Sequence, residues 1–213
     1  MREYYHNELE QIVNELVIMS DSAQTAVRDA SRALFDADRE VAEQVISGDE
    51  RIDTMHDDLE RRCFMLLAEQ APVAGELRTV VAAIHVLAEV GRIGDLAVHV
   101  AETARMRYPE HAVPAPLEAS FREMARLAEE MVAKSGRTLA TRDLSQAEML
   151  AEDDEQVDRL RNSHFQVLDD GWPHGVRAAI DVTLLGRFYE RIADHAVAMA
   201  RQSIYIITGK APV

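Results

Sequence analysis

The sequence is poor in the residues that tie small proteins together or anchor them in membranes. Its 213 residues include one cysteine and one tryptophan, and aromatic residues make up only 5%. The single Cys63 excludes an intrachain disulfide and a thiolate-rich metal site. The longest apolar runs, such as 80–84, are far too short to span a bilayer, and the N-terminus lacks the apolar core of a signal peptide. We therefore expect a cytoplasmic protein.

Basic residues are also scarce. The chain has 23 Lys and Arg against 38 Asp and Glu, which gives a net charge of -15. Such a charge opposes long-range attraction to nucleic acid and to anionic membranes, so we expect no direct binding to nucleic acid. Cations and basic protein surfaces are better matched partners. The hydrophobic content of 47% is ordinary for a packed globular protein.

Only six prolines occur, and they divide the chain into long uninterrupted segments. Proline is tolerated at helix starts and poorly inside helices. We expect Pro72 to lie at the start of the third of six helices. The predicted helices cover residues 3–35, 38–69, 74–108, 115–141, 144–170 and 175–208.

Apolar spacing within these segments is helical. In the third segment apolar residues advance by alternating fours and threes from Val86 to Ala104, and the sixth segment has nearly the same pattern from Val182. No segment alternates with period two over the length of a strand. The pattern predicts an all-α fold of six long helices in two tandem three-helix bundles, covering residues 1–110 and 111–213.

A seven-residue string occurs twice. Residues 92–98 are Arg-Ile-Gly-Asp-Leu-Ala-Val, and residues 191–197, 99 positions later, are Arg-Ile-Ala-Asp-His-Ala-Val. At 100° per residue, Asp95 lies about 200° from both Ile93 and Ala97, so it points away from the apolar seam. Asp194 stands in the same relation to its neighbours. The repeat therefore predicts a duplicated helix that presents one outward carboxylate in each half.

Further carboxylates recur one helical turn apart. Glu190 precedes Asp194 by four residues, and the same spacing relates two pairs on the preceding helices: Asp49 with Asp53, and Asp154 with Asp158. Hard oxygen ligands from two adjacent helices are suited to binding a cation on each bundle. The alternative is that these carboxylates only cover solvated faces, with Arg92 and Arg191 pairing with Asp95 and Asp194.

Three longer motifs resemble the PhoU family of bacterial phosphate-uptake regulators. They are Pro-Val-Ala-Gly-Glu-Leu-Arg at 72–78, the string at 92–98, and Tyr-Glu-Arg-Ile-Ala-Asp-His-Ala at 189–196. Asp49 with Asp53 and Asp154 with Asp158 also stand where that family has carboxylates, and the resemblance covers essentially the whole chain. It implies two similar three-helix bundles whose carboxylate clusters bind metal ions. Iron, zinc, magnesium and manganese are the candidate metals.

The first repeat departs from the family pattern. That pattern places Glu before Arg-Ile-Gly-Asp, whereas this chain has Gly91, so one expected ligand is missing. One hypothesis is that His99 compensates together with Glu102, since both share a stripe with Asp95; a histidine would favour zinc or iron. The alternative is a surface histidine that pairs with Asp95. The two sites are therefore expected to be homologous and not equivalent.

Three functions remain open at this stage. By resemblance, the chain is a non-catalytic adaptor, a homodimer without catalytic residues. It would link the ATPase of a phosphate ABC transporter to a phosphate-sensing histidine kinase, repress the phosphate-starvation response, and meet the membrane only through these partners. A ferritin-like metal-carboxylate enzyme is the second candidate, although its Glu-x-x-His motif is absent from the sequence. A plain helical scaffold with solubilising carboxylates is the third.

Overall fold

The protein is a bundle of six helices. We describe it from a computed structural model that covers residues 2–70, 75–169 and 171–209. The helices are α1 (Arg2–Asp36), α2 (Arg39–Gln70), α3 (Gly75–Arg107), α4 (Ala115–Thr141), α5 (Leu144–Asp169) and α6 (Gly175–Thr208). No strand occurs in these residues. The all-α prediction is confirmed, and every helix ends within one residue of its predicted bounds.

The helices form two groups of three that are joined through equivalent partners. In each half the three consecutive helices pack on one another. Among the described residues, α2 contacts only helices of the first half and α5 only helices of the second. Between the halves, α1 packs on α4 and α3 packs on α6. Each of these contacts therefore joins a helix of the first half to the helix at the same place in the order of the second half.

The two halves share a common frame of buried positions. A shift of 105 residues, the separation of Asp49 and Asp154, relates α1 and α2 to α4 and α5. Under this shift the buried Leu16, Met19 and Val27 correspond to three residues that are also buried, Phe121, Met124 and Val132. A shift of 99 residues relates α3 to α6. We call positions related by these shifts counterparts.

A single hydrophobic core runs through both halves. Ile12 and Leu16 of α1, Phe121 of α4 and Tyr189 of α6 belong to one continuous cluster of buried side chains. The division at residues 110 and 111 therefore stays a prediction about sequence repeats, since packing does not separate the halves.

Helix ends follow the expected chemistry where they are described. Gly209 ends α6 with φ at 73°, and its N–H donates to the Tyr205 carbonyl. A left-handed residue at this position is the common helix stop, and glycine adopts it without strain. Pro114 precedes α4 in an extended conformation. Pro72 lies outside the described residues, so its predicted position is not tested.

Polar contacts hold the halves together along the α3–α6 contact. Arg107, at the end of α3, donates two hydrogen bonds to the Asp181 carboxylate at the start of α6, at 2.5 and 2.8 Å. Farther along, His195 Nδ1 lies 2.7 Å from Glu89 Oε2. Both contacts join residues from different halves. Across the described residues, no helix is at once long and apolar enough to pass through a bilayer.

Candidate functional site

The predicted carboxylates form two clusters, one on the outer face of each half. The first cluster contains Asp49 and Asp53 from α2 and Asp95 from α3. The second contains Asp154 and Asp158 from α5 together with Glu190 and Asp194 from α6. Each cluster therefore bridges the flanking helix and the repeat-bearing helix of its half, as the spacing predicted.

Electrostatic repulsion is strongest at one position of the first cluster, Asp49. Burial raises the pKa of Asp49 above its ordinary value, and the charges of Asp53 and Asp95 raise it further, while His99 acts in the opposite direction. Asp49 Oδ1 lies 3.1 Å from the point that a Cβ would occupy at Gly94. The glycine of the first repeat thus lets a carboxylate approach the α3 backbone closely.

Arg92 already pairs with the outward carboxylate of the first repeat. Its Nη1 donates to Asp95 Oδ2 at 2.9 Å, and both side chains are substantially exposed. This pair is the one that the alternative of a solvated face predicted. An exposed pair of this kind stabilises by less than about 1 kcal/mol, so it leaves Asp95 free to exchange partners.

Gly91 opens a cavity that a histidine from α2 borders. The cavity has a volume of about 240 Å³ and is lined by Asp53, His56, Asp95 and residues of α3 around Gly91. A Cβ at Gly91 would lie 3.6 Å from His56 Cδ2. The imidazole therefore stands beside the position where the missing glutamate would begin. The sequence signal for His56 was its position three residues after Asp53, which puts both on one face of α2.

His99 and Glu102 lie next to the first cluster and contact each other. His99 Nδ1 is 3.3 Å from Glu102 Oε2, and its ring stacks on Phe188 with centroids 5.3 Å apart. In the described residues the histidine pairs with Glu102 and not with Asp95. Its proposed role as a compensating ligand stays a hypothesis.

The second cluster is more strongly coupled. Burial and the charges of Asp194, Asp158 and Glu190 together raise the pKa of Asp154 to about 6, against the opposing charge of Arg201. Burial and the acidic neighbours both disfavour the charged form of Asp154, so this carboxyl keeps its proton to a higher pH than an ordinary aspartate does.

Glu190 has partners of its own. It is only 8% exposed, both of its oxygens accept from Arg187 Nη1, and Arg161 Nη1 lies 3.8 Å away. Asp194 is exposed, and no ion pair joins it to Arg191 in the described part of the chain. The arginine pair of the second half therefore forms at Glu190, one turn earlier than the solvated-face alternative predicted.

The donor set fits a hard cation, although the side chains are not drawn together around one point. Carboxylate oxygens suit magnesium, manganese and other hard ions, and a cation would relieve the repulsion that raises the pKa of Asp49 and of Asp154. Within the residues that the structure describes, no three His, Cys, Asp or Glu side chains converge at metal-binding distance. Binding would therefore require side-chain rotation, and at Glu190 the release of Arg187.

The chain resembles known proteins along its whole length. The PhoU domain family matches it twice, over residues 16–104 and 121–203. It is 46% identical over 213 residues to the phosphate-specific transport system accessory protein PhoU homolog 2 of Mycobacterium tuberculosis (strain ATCC 25618 / H37Rv), with 100% of both chains covered. It is 33% identical over 208 residues to the PhoU homolog of Aquifex aeolicus (strain VF5), covering 95% of this chain and 92% of that one.

Solved structures agree with the fold. The crystal structure of PhoU from Pseudomonas aeruginosa matches with a TM-score of 0.86 and 27% identity, covering 97% of this chain and 100% of that chain. The PhoU structure from Streptococcus pneumoniae also has a TM-score of 0.86, at 22% identity, and supports the fold alone. Two domain matches and full-length relatives lead to one conclusion: this chain belongs to the PhoU family.

Proposed function

We propose that the chain is a non-catalytic regulator of phosphate uptake that acts as an accessory protein of a phosphate-specific transport system. The observation that carries this proposal is the family match over both halves, together with 46% identity to a full-length accessory protein of that system. A fold alone does not fix a function, but full-length similarity at this level makes a shared role the best supported one.

In finer detail, we propose that it links the phosphate transporter ATPase to a phosphate-sensing histidine kinase in the cytoplasm. It would keep the kinase from activating phosphate-starvation genes when phosphate is plentiful. The net charge of -15 supports partners with basic surfaces, since opposite charges accelerate and orient association. Contact with the membrane would be through those partners, and the chain would act as a homodimer.

We further propose that cations bind the two carboxylate clusters. In the second half Asp154, Asp158 and Asp194 would hold a cation together with Glu190 once Arg187 releases it. In the first half Asp49, Asp53 and Asp95 would do so, with His99 and Glu102 as further candidates. Burial and the repulsion of its acidic neighbours raise the pKa of Asp154 to about 6, and the repulsive part supports this proposal. The bound cation would supply positive charge, which removes that repulsion and shapes the acidic surface for a partner. The alternative, a scaffold without metal, is supported by Arg92 and Arg187, which already neutralise one carboxylate each.

The regulatory proposal is tested by deleting the gene in its source organism. A reporter for phosphate-scavenging genes should stay on in high phosphate, and a plasmid carrying the wild-type gene should restore repression. Since relatives are named as homolog 1 and homolog 2, any second copy must be deleted as well. Normal repression in a strain without either copy would contradict the proposal.

The metal proposal is tested by elemental analysis of protein purified without chelator. Asp194→Ala should remove metal from the second half, whereas Asp95→Ala should remove it from the first. Binding to the second half should weaken as the pH falls through about 6, because protons compete for Asp154. Equal metal content in the wild type and a variant that combines both substitutions would favour the scaffold.

A further inference from the structure

The first half carries an open groove between α1 and α2 that shares one residue, Asp49, with the predicted metal sites. The groove has a volume of about 450 Å³. Its apolar lining includes Ile18 from α1, the buried Val45 and Ile52 from α2, and Val98 from α3. Ile18 is 50% exposed. It is the most exposed apolar side chain among the lining residues, and the side chains of Val45 and Ile52 lie buried beside it.

Gly48 leaves the α2 wall of the groove without a side chain at its position. Among the described residues, no atom lies within 4 Å of the position that a Cβ would take there. Glycine in mid-helix costs roughly 1 kcal/mol relative to alanine, and no close packing at this position offsets that cost. The space above Gly48 is therefore open to solvent along the α2 wall.

The rim of the groove is acidic. Asp21 and Asp29 line it from α1 and Asp49 from α2, while Arg51 is the only basic residue among its described lining residues. The nearest base to Asp29 is its neighbour Arg28, at 3.4 Å. The groove thus combines an apolar floor with negative charge on both walls.

The counterpart of this groove in the second half is closed. The counterparts of Asp29 and Gly48 are Lys134 and Asp153, which form an ion pair with each side chain only 13% exposed. At the counterpart of the groove residue Ala26 stands Met131, which is fully buried. The same fold therefore fills this space in one half and leaves it open in the other, so the groove is not a by-product of helix packing.

We infer that the groove binds a basic amphipathic helix of a partner protein. Such a helix would place its apolar stripe in the groove against the half-exposed Ile18, and its flanking Lys or Arg side chains would meet the acidic rim. The acidic rim excludes nucleic acid and anionic lipid as occupants by like charge. This inference rests on the proposed function, because a regulator acts by contacting other proteins. The groove would be the surface of one such contact.

The test uses the purified full-length chain and a fluorescent synthetic helix of leucine and lysine, about five turns long, with leucines at helical spacing. Binding is followed by fluorescence anisotropy. The double variant Asp29→Lys with Gly48→Asp installs the ion pair of the second half and should weaken binding at least about tenfold. Ile18→Glu introduces the residue type found at the counterpart position, Glu123, and should weaken binding similarly. Because Ile18 is half exposed, this variant should fold and keeps the test valid if the double variant does not.

Two controls separate shape from charge. Glu148→Gln changes the net charge by the same amount as the double variant, on the exposed surface of α5, and should alter Kd by less than about twofold. A peptide with the same composition in scrambled order should bind at least about tenfold more weakly than the amphipathic one. Equal binding of the two peptides, or unchanged binding by the double variant and by Ile18→Glu, would overturn the inference.

Two further outcomes overturn the inference without touching the proposed function. If the double variant changes the oligomeric state in sedimentation, a second copy of this chain occupies the groove. If the double variant loses peptide binding and yet represses phosphate-starvation genes normally in cells, the groove serves no regulatory partner. Loss of repression in the gene deletion concerns the proposed function alone.

Discussion

The two halves have the same buried frame and different outer surfaces. Leu16 and its counterpart Phe121 are both buried, as are Ile93 and its counterpart Ile192. On the outside, the first half has an open groove, and the second half has the Lys134–Asp153 ion pair in its place. Substitutions at buried positions lose the most stability, so counterpart residues in the core stay apolar and buried. On the surface a substitution changes stability by less than about 0.5 kcal/mol, so counterpart residues there can differ in type.

The carboxylate clusters differ in the same way. In the first half the arginine of the repeat pairs with the outward aspartate, Asp95, whereas in the second half Arg187 pairs with Glu190 and leaves Asp194 unpaired among the described residues. The first half also has Gly91 with His56 beside it. A duplicated motif therefore fixes where the carboxylates lie, and the neighbouring residues decide which of them is available to a ligand.

The largest expected effect comes from the ion pair between the halves. Arg107→Ala leaves the buried Asp181 without its partner, and we expect a loss of about 3–5 kcal/mol in the free energy of unfolding. The counterparts of Asp181 and Arg107 are the apolar Ala82 and Ile206. The double variant Arg107→Ile with Asp181→Ala should therefore be much closer to the wild type. Urea denaturation measures both, and equal losses for the two variants would show that the charge pair itself is not responsible.

A second comparison concerns His164, whose counterpart is the buried Leu59. The ring is 3% exposed, stacks on Phe121, and has its Nε2 2.7 Å from Ser120 Oγ; burial lowers its pKa to about 4. Below pH 6.5 the unfolded chain gains a proton that the folded ring accepts only near pH 4, so stability falls with decreasing pH. Because of His164, the free energy of unfolding should fall by about 2 kcal/mol between pH 7 and pH 5.

His164→Leu should remove that part of the pH dependence. The measurement is chemical denaturation at pH 7 and pH 5 for the variant and the wild type. Replacing the exposed His111 by asparagine is the matched control and should leave the difference between the two pH values unchanged within a few tenths of a kcal/mol. If the His164 variant keeps the full pH dependence, other groups cause it.

A smaller effect is expected at the α1–α4 contact. A Cβ at Gly136 would lie 2.7 Å from Ser20 Oγ, which is too close for two unbonded atoms. Gly136→Ala should cost about 1 kcal/mol, the low end of the range for overpacking, because the hydroxyl can rotate. The double variant Ser20→Ala with Gly136→Ala removes the crowding atom and should recover most of the loss in thermal melts. If the double variant melts no higher than Gly136→Ala alone, the strain lies in the helix backbone and not at the Ser20 hydroxyl.

The smallest effect is a gain. Gly48→Ala adds a methyl group where no described atom lies within 4 Å, so the helix propensity of alanine should raise stability by about 0.5–1 kcal/mol. Calorimetry should find a slightly higher Tm with peptide binding by the groove preserved. A lower Tm would contradict this prediction, because neither the open space at Gly48 nor the helix propensity of alanine accounts for a loss of stability.

Helix positions were predictable because they depend on local signals. Helical apolar spacing, the proline positions and Gly209 fixed all six helices to within one residue. The outward direction of Asp95 and Asp194 followed from the same periodicity, since 100° per residue needs no knowledge of neighbouring helices. Both residues lie on the surface of the bundle, as expected.

The contacts between helices were not predictable from one sequence. Arg107 and Asp181 lie 74 residues apart, and no spacing rule relates them. His56 lies beside Gly91 because of how α2 crosses α3, and Glu190 is held by Arg187 through the choice of one side-chain rotamer among several. The open groove depends on how α1 packs beside α2, which no local spacing in the sequence specifies.

The shared core has a thermodynamic consequence for regulation. Because the described residues of both halves are packed into one hydrophobic cluster, opening either half exposes apolar surface of the other. Any ligand that binds one half, by preferring the folded state, adds its binding free energy to the stability of the entire chain. A ligand bound on one face of the molecule therefore raises the free energy needed to unfold the opposite face.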